Sequence, residues 1–168
     1  MVNEVLSQQL LKELFNYDPV TGIFTWKVFR GGGSPKVGEV AGSVNEEGYV
    51  KIKVAGKLRA ASHLAWLYMT GELPEDRVDH KNTNPSDNSW DNLREATDSE
   101  NSHNKRKYKC NTTGYKGVFI APNGRQWHAR IRNKGKLKFL GTFDAPELAH
   151  EFYCLAADLL HGEFANYG

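Results

Sequence analysis

Asp79 and His80 stand side by side in RVDHKNTNPSDNSWDNLREATDSENSHNKRK, a stretch with far more amides, acids and hydroxyls than large apolar side chains. Histidine titrates near neutral pH, which suits His80 to accept a proton from water as a general base. Adjacent side chains on a strand point to opposite faces. Asp79 and His80 can therefore serve one site only if the strand ends or bends there, which the KNTNPSDN loop after them permits. Taken alone, an Asp–His pair is most simply a surface dipeptide. What gives it weight is the pattern around it and the charge that follows.

That charge is unevenly spread. Residues 1–100 carry a net −4, residues 144–168 a net −5, and residues 101–143 hold 11 Lys and Arg without a single acid. A block of this kind is the electrostatic footprint of a polyanionic partner. Its basic residues alternate with aromatic and apolar ones, so the segment is expected to be folded. No run approaches the ~18 apolar residues of a transmembrane helix, and the N-terminus lacks the pattern of a signal peptide. Cys110 and Cys154 have no CxxC partner, so free thiols are expected and a structural zinc is not.

The elements that must position these residues follow from periodicity. Residues 5–16 read as an amphipathic helix, with Leu6, Leu10, Leu11, Leu14 and Phe15 on one side. Asp18-Pro19 and Thr21-Gly22 turn the chain into a strand at 22–28, and a loop with three consecutive glycines (31–33) follows. GYVKIKVAGKLRAA alternates on both sides of Ala55-Gly56, a hairpin signal, and SHLAWLYMTGE switches to helical spacing. Trp66, Leu67 and Tyr68 are expected in the core. Residues 76–109 offer two short strands, near Val78 and Leu93, and a helix from about Asp98 to Lys107 capped by Asp98 or Ser99. So few apolar side chains cannot support a core alone. Neighbours, a metal or a polar network must hold this segment.

Residues 114–143 contain three strands with turns at Asn123-Gly124 and Lys134-Gly135. A helix over 146–161 follows, with Pro146 in its first turn, Leu148, Phe152, Leu155 and Leu159 at helical spacing, and Gly162 as its stop. His150 and His161 read as surface residues of that helix. The expected fold is α+β: an N-terminal α+β unit (1–75), a central element (76–109), and a three-stranded antiparallel sheet packed on one helix (110–168).

The V-D-H, D-N-L-R-E and S-E-N-x-x-N pieces, with HLAWLYMTGELP upstream, resemble the HNH endonuclease motif in the variant of phage homing endonucleases. The resemblance spans roughly residues 50–107 and implies a ββα-metal site. By it, Asp79 and Asn101 are metal ligands, His80 is the general base, and Asn92 braces the loop and helps orient His80. His103 lies on another side of the helix and is not assigned to the metal. His63 matches an upstream family histidine, with a structural or DNA-contacting role. Two oxygen ligands favour Mg²⁺ or Mn²⁺. The chemistry is consistent: phosphodiester hydrolysis needs an activated water and a cation to neutralise the crowded phosphate.

Y-x-G-V, W-x-A-x-I, L-G-T-F and the E-x-A-x-x-x-Y helix in residues 113–168 resemble the APETALA-type (ethylene-responsive-factor) DNA-binding domain. That resemblance implies DNA contacts from Lys116, Arg125, Trp127, Arg130, Arg132, Lys136 and Lys138, with Lys105, Arg106 and Lys107 of the linker along the backbone. Phe119 stands where the family has Arg, so base preference does not carry over. Arg130, Arg132, Lys136 and Lys138 alternate and are expected to share faces. Trp127 is open between core and DNA contact. The sequence therefore points to a modular, metal-dependent HNH endonuclease acting on double-stranded DNA, of homing type and able to nick. The expected protein is a phage-encoded monomer in the host cytosol, away from membranes. Its rival is a DNA-binding regulator without catalysis. An RNA-binding protein is the third reading.

Overall fold

The computed structural model describes residues 5–29, 35–107 and 110–168. The three-glycine loop and part of the basic linker (108 and 109) lie outside the described residues. The chain divides into two compact units, Met1–Glu95 and Ala96–Gly168. Helices and antiparallel sheets mix in an α+β arrangement.

The first unit opens with α1 (Gln8–Leu14), whose N-terminus is capped by the Ser7 hydroxyl accepting from the Leu10 amide at 3.2 Å. The helix is shorter than its apolar spacing suggests. From Phe15 the chain is β1 (Phe15–Asp18), paired antiparallel with β2 (Ile23–Trp26). Phe15 and Tyr17 are buried while Asn16 and Asp18 are exposed, a period of two that overlaps the end of the helical pattern. A second sheet has the order β3 (Ser43–Val44), β4 (Val50–Val54), β5 (Lys57–Ala60). Its β4–β5 hairpin turns at Ala55 and Gly56, both with positive φ, as a tight two-residue hairpin turn requires. Next comes α2 (Ala61–Thr70), stopped by left-handed Gly71. Leu11, Phe15, Phe24, Ile52, Val54, Leu64 and Leu67 form one core with Leu93. Trp66 and Tyr68 are half-buried: Tyr68 packs on that core, and Trp66 meets Trp90 with ring centroids 5.2 Å apart.

The polar stretch adds β6 (Arg77–His80), a 3-10 turn at Trp90–Asn92 and β7 (Leu93–Ala96), and β6 pairs with β7. What holds this apolar-poor segment is the older core behind it and a dense hydrogen-bonded loop.

The second unit begins with α3 (Asp98–His103). Its cap is Thr97, one residue earlier than expected: Thr97 and Glu100 form a reciprocal capping box, and the helix ends at His103. The sheet runs β8 (Val118–Ile120), β9 (Trp127–Asn133), β10 (Lys136–Phe143), with β9 central. It packs on α4 (Pro146–His161), which starts with Pro146 and stops at Gly162. The helix meets the sheet through Ala149, Tyr153 and Ala157, while Leu148, Phe152, Leu155 and Leu159 face outward. Both stripes have a spacing near four residues, so periodicity alone could not choose between them. Close approach decides: a Cβ on Gly117 would lie 2.0 Å from the Tyr153 ring, leaving room for small side chains rather than leucines. No described helix is long and apolar enough to cross a membrane, and both cysteines are free.

Candidate active site

β6 delivers Asp79 and His80 together. Both are buried, at 6% exposure each, although consecutive residues of a regular strand would alternate. The strand stops at His80. The chain turns at once through Thr83, whose φ is 59° and whose amide donates to the His80 carbonyl at 2.8 Å. The expected break in strand geometry is therefore present, placed just after the pair.

The His80 ring is set by Asn88. Its Nε2 lies 3.3 Å from Asn88 Oδ1, and Asn88 Nδ2 donates to the Ser86 carbonyl at 3.1 Å, which fixes the amide's orientation. With oxygen turned to the imidazole, Nε2 carries the proton and the basic lone pair sits on Nδ1. Burial is the largest influence on His80 and holds its pKa below the ordinary imidazole value. The Asn88 bond and the Asp79 and Asp87 charges pull the other way. A neutral, oriented imidazole is what proton abstraction requires.

Asn92 grips the loop rather than touching the ring. Its Oδ1 accepts from the Asn82 amide at 3.0 Å, its Nδ2 donates to the Asp87 carbonyl at 2.8 Å, and its own carbonyl accepts from Lys81 at 2.9 Å. A hydrogen bond to the His80 ring comes from Asn88, while Asn92 braces the loop that carries Asn88. Asp87 completes the loop by accepting from Ser89 and Asn82, which lowers its pKa, the Ser89 hydroxyl contributing most.

The first strand pair supports this loop from outside the motif. Tyr17 donates its hydroxyl to the Asn88 carbonyl at 2.7 Å, and Trp90 donates to the Pro19 carbonyl at 2.8 Å. Gly22, at φ +72°, lies so close that a Cβ would fall 2.2 Å from the Asn88 carbonyl carbon. Burial pushes the Tyr17 phenol well above its ordinary value, so it stays a neutral donor.

Asp79 is engaged by Arg94 of β7. Nε and Nη2 reach its Oδ2 at 2.9 and 2.8 Å. Asn101 stands on α3, in the second unit. Among the described residues no group of three or more His, Cys, Asp or Glu is placed to hold a metal. Arg94 and Asn88, both inside the recognised motif, went unassigned because neither is a metal ligand or a base. Tyr17 and Gly22 lie far from it in sequence, where Gly22 reads as part of a turn and nothing ties either residue to the loop.

In the second unit the register of β9 and β10 sorts the cations. Arg130 pairs with Phe139 and Arg132 with Leu137, whereas Lys138 pairs with Ile131, a core residue facing α4. Arg130 and Arg132 therefore share the outer face, and Lys136 and Lys138 share the opposite one, each pair at the spacing of two that alternation gives. The outer face also shows Phe119, Leu137 and Phe139, each about half exposed, and Arg130 sits 5.5 Å from the Phe119 ring centre. Trp127 packs against Val118, Ala129 and Ala149 on the core side. Lys116 donates to the His103 and Lys105 carbonyls and to Asn166 Oδ1 at 3.1, 2.5 and 3.3 Å, so its ammonium ties the linker to the C-terminus. Lys105, Arg106, Lys107 and Arg125 are exposed. His161, expected at the surface, stacks on His103 at 3.7 Å and donates to the Arg132 carbonyl. His150 donates to the Lys116 carbonyl.

Residues 59–103 match the family described as HNH endonuclease. Protein 3.8 of Escherichia phage T7 is 32% identical over 103 residues, covering 61% of this chain and 84% of that protein. A protein of Acanthamoeba polyphaga mimivirus, named an uncharacterized HNH endonuclease, is 31% identical over 133 residues, covering 78% of this chain and 68% of its own length. No solved structure matches the chain significantly.

Proposed function

The chain belongs to the HNH endonuclease family, and from that premise we propose that it hydrolyses phosphodiester bonds in double-stranded DNA with His80 as general base. The observation that carries the proposal is the buried His80 imidazole, oriented by Asn88 beside Asp79, within the stretch that matches the family. His80 Nδ1 takes the proton of the attacking water. Asn92 keeps the loop closed behind it.

Members of the family generally use a divalent metal. The donor set here is oxygen, a carboxylate and an amide, which fits a hard cation such as Mg²⁺ or Mn²⁺. Asp79 and Asn101 would hold it, with Asp79 sharing its carboxylate with Arg94. When bound, the cation would neutralise charge on the phosphate under attack. The second unit is proposed to supply DNA affinity through Arg130, Arg132, Arg125 and the linker cations, all within the stretch 101–143 that lacks acids. We further propose a homing-type enzyme, encoded by a phage and acting as a monomer in host cytosol, which would nick rather than cut both strands.

Supercoiled plasmid and phage DNA incubated with Mg²⁺ or Mn²⁺ test this reading. Cleavage is expected with wild type and none with His80→Ala or with EDTA. The ratio of nicked to linear product reads the strand outcome. DNA that stays intact on every substrate, with salt-sensitive binding retained, would favour a regulator without catalysis.

A further inference from the structure

Arg59 occupies an unusual place for an arginine. On β5 it is the direct partner of Ile52, which is fully buried. Paired residues of antiparallel strands send their side chains to the same face, so Arg59 leaves the hairpin on the core side. Its Nε is sealed from water without a hydrogen-bond partner. Among the described residues Arg59 makes no ion pair either. A buried N–H donor left without an acceptor is costly, and the guanidinium that carries it, half-buried as a residue, is the side chain best shaped to grip an oxyanion in a fork.

The space it faces is a cleft of ≈ 370 Å³ in the first unit, lined by Arg59, Lys51, His63 and Asp76 over Leu64 and Leu73. Only one of these groups, Asp76, is acidic. α2 begins at the same place, and its N-cap, Ala60, offers no side-chain bond to the first-turn amides. Those amides and the positive end of the helix add to the cationic character of the cleft. His63 lies in that first turn. Burial, and then Lys51, Arg77 and His80, hold its pKa below the ordinary value. Lys51 Nζ lies 5.6 Å from the Tyr49 ring centre, and that ring is 6.1 Å from the His80 ring, so the cleft wall reaches toward the candidate base.

We propose that this cleft binds a backbone phosphate of the DNA substrate, gripped by Arg59 with Lys51 and His63, and so sets the path of the strand past His80. The inference rests on the nuclease reading for its substrate, and on the unpartnered arginine for its site. Arg59 is a positioning residue in this scheme, since it holds a phosphate other than the one being broken.

The test uses the full chain carrying His80→Ala, in EDTA, with a short fluorescein-labelled duplex followed by anisotropy across a salt series. Adding Arg59→Met is expected to weaken binding ~10-fold at low salt and to flatten the slope of log K against log salt by about 0.9, the value of one lost phosphate contact. Arg59→Lys, which keeps the charge without the fork, should fall between and serves if the Met variant fails to fold. An unchanged affinity and slope in either folded variant would overturn the proposal. Inorganic phosphate, titrated while the His63 ring signals are followed by NMR, separates the source. Weak shifts without displacement of the duplex are expected, and displacement of the duplex by phosphate alone would reassign the cleft to a free anion. A wild-type protein that cuts no DNA, with the slope still lowered by Arg59→Met, would remove the nuclease reading and leave the cleft. Normal cutting with an unmoved slope would do the reverse.

Discussion

Arg94 directs two nitrogens at one oxygen of Asp79, Nε at 2.9 Å and Nη2 at 2.8 Å, with both side chains at least nine-tenths buried. The pair joins β6 to β7 at the end of the sheet that carries His80. It lets a carboxylate sit beside His80 without an uncompensated charge. Removing one partner of a buried pair strands the other. Arg94→Met is expected to cost about 3 kcal/mol or more in urea unfolding. Asp79→Asn on the same background should restore part of the loss. A cost near zero would show that the pair does not hold the site.

The acid limb of catalysis should fall below the usual imidazole range. His80 acts only when neutral, and burial lowers its pKa from 6.5. Lowering the pH therefore leaves the base competent through 6.5, and activity declines only beneath it. A kcat/KM profile at saturating metal checks this, and a limb centred at or above 6.5 would contradict the burial of His80.

Asn88→Ala removes the hydrogen bond on Nε2 while leaving Asp79, His80 and Asn92 in place. Loss of an orienting partner of this kind typically costs about 10–100-fold. The loss should appear in kcat more than in KM, because the duplex is held elsewhere. Unfolding of the variant, measured alongside, separates misorientation from collapse.

Gly22→Ala places a Cβ against the backbone of Asn88 at a left-handed φ. Backbone cannot yield as a flexible side-chain tip would, so the loop must move. A destabilisation of about 2 kcal/mol and a drop in kcat are expected together, although Gly22 lies 57 residues before Asp79 in sequence.

 Both readings come from one preparation: thermal melting for the fold and initial rates for the loop.

Salt dependence reports on the second unit. If about six cations each neutralise a phosphate, log K falls with log salt at a slope of about −5. Replacing Arg130 and Arg132 together with Ala should bring the slope to about −3. Replacing Lys116, whose ammonium is held by protein carbonyls, should leave it within about half a unit.

Much of this was legible from residues alone. The Ala55-Gly56 and Lys134-Gly135 turns follow from the conformation a two-residue hairpin demands, and both pairs adopt positive φ. Asp79, His80 and Asn92 were singled out through the resemblance to the HNH motif, and in the structure all three are buried on or beside one loop. What escaped was decided by packing between distant segments. Phe15 satisfies a helical stripe and a strand alternation equally, and packing against Phe24 and Trp26 selects the strand. The α4 stripes are another such tie. Asn88 and Arg94 escaped for a different reason: an amide and a guanidinium in a polar loop look like solvated residues until the groups they meet are known.

The Tyr17–Asn88 hydrogen bond spans 71 residues, and that distance along the chain has a consequence in time. A contact of this separation forms only after a long loop has closed, which places it late among folding events. During synthesis the residues of β1 and β2 emerge before the loop that carries Asn88, so the tyrosine waits for the asparagine. The loop that orients the His80 imidazole through Asn88 gains this brace when that wait ends, so a chain caught partway through folding carries the motif without the Tyr17 support. Heating reverses the order: release of the hairpin and loss of the oriented base become a single cooperative event, readable as simultaneous amide exchange at both ends of the bond.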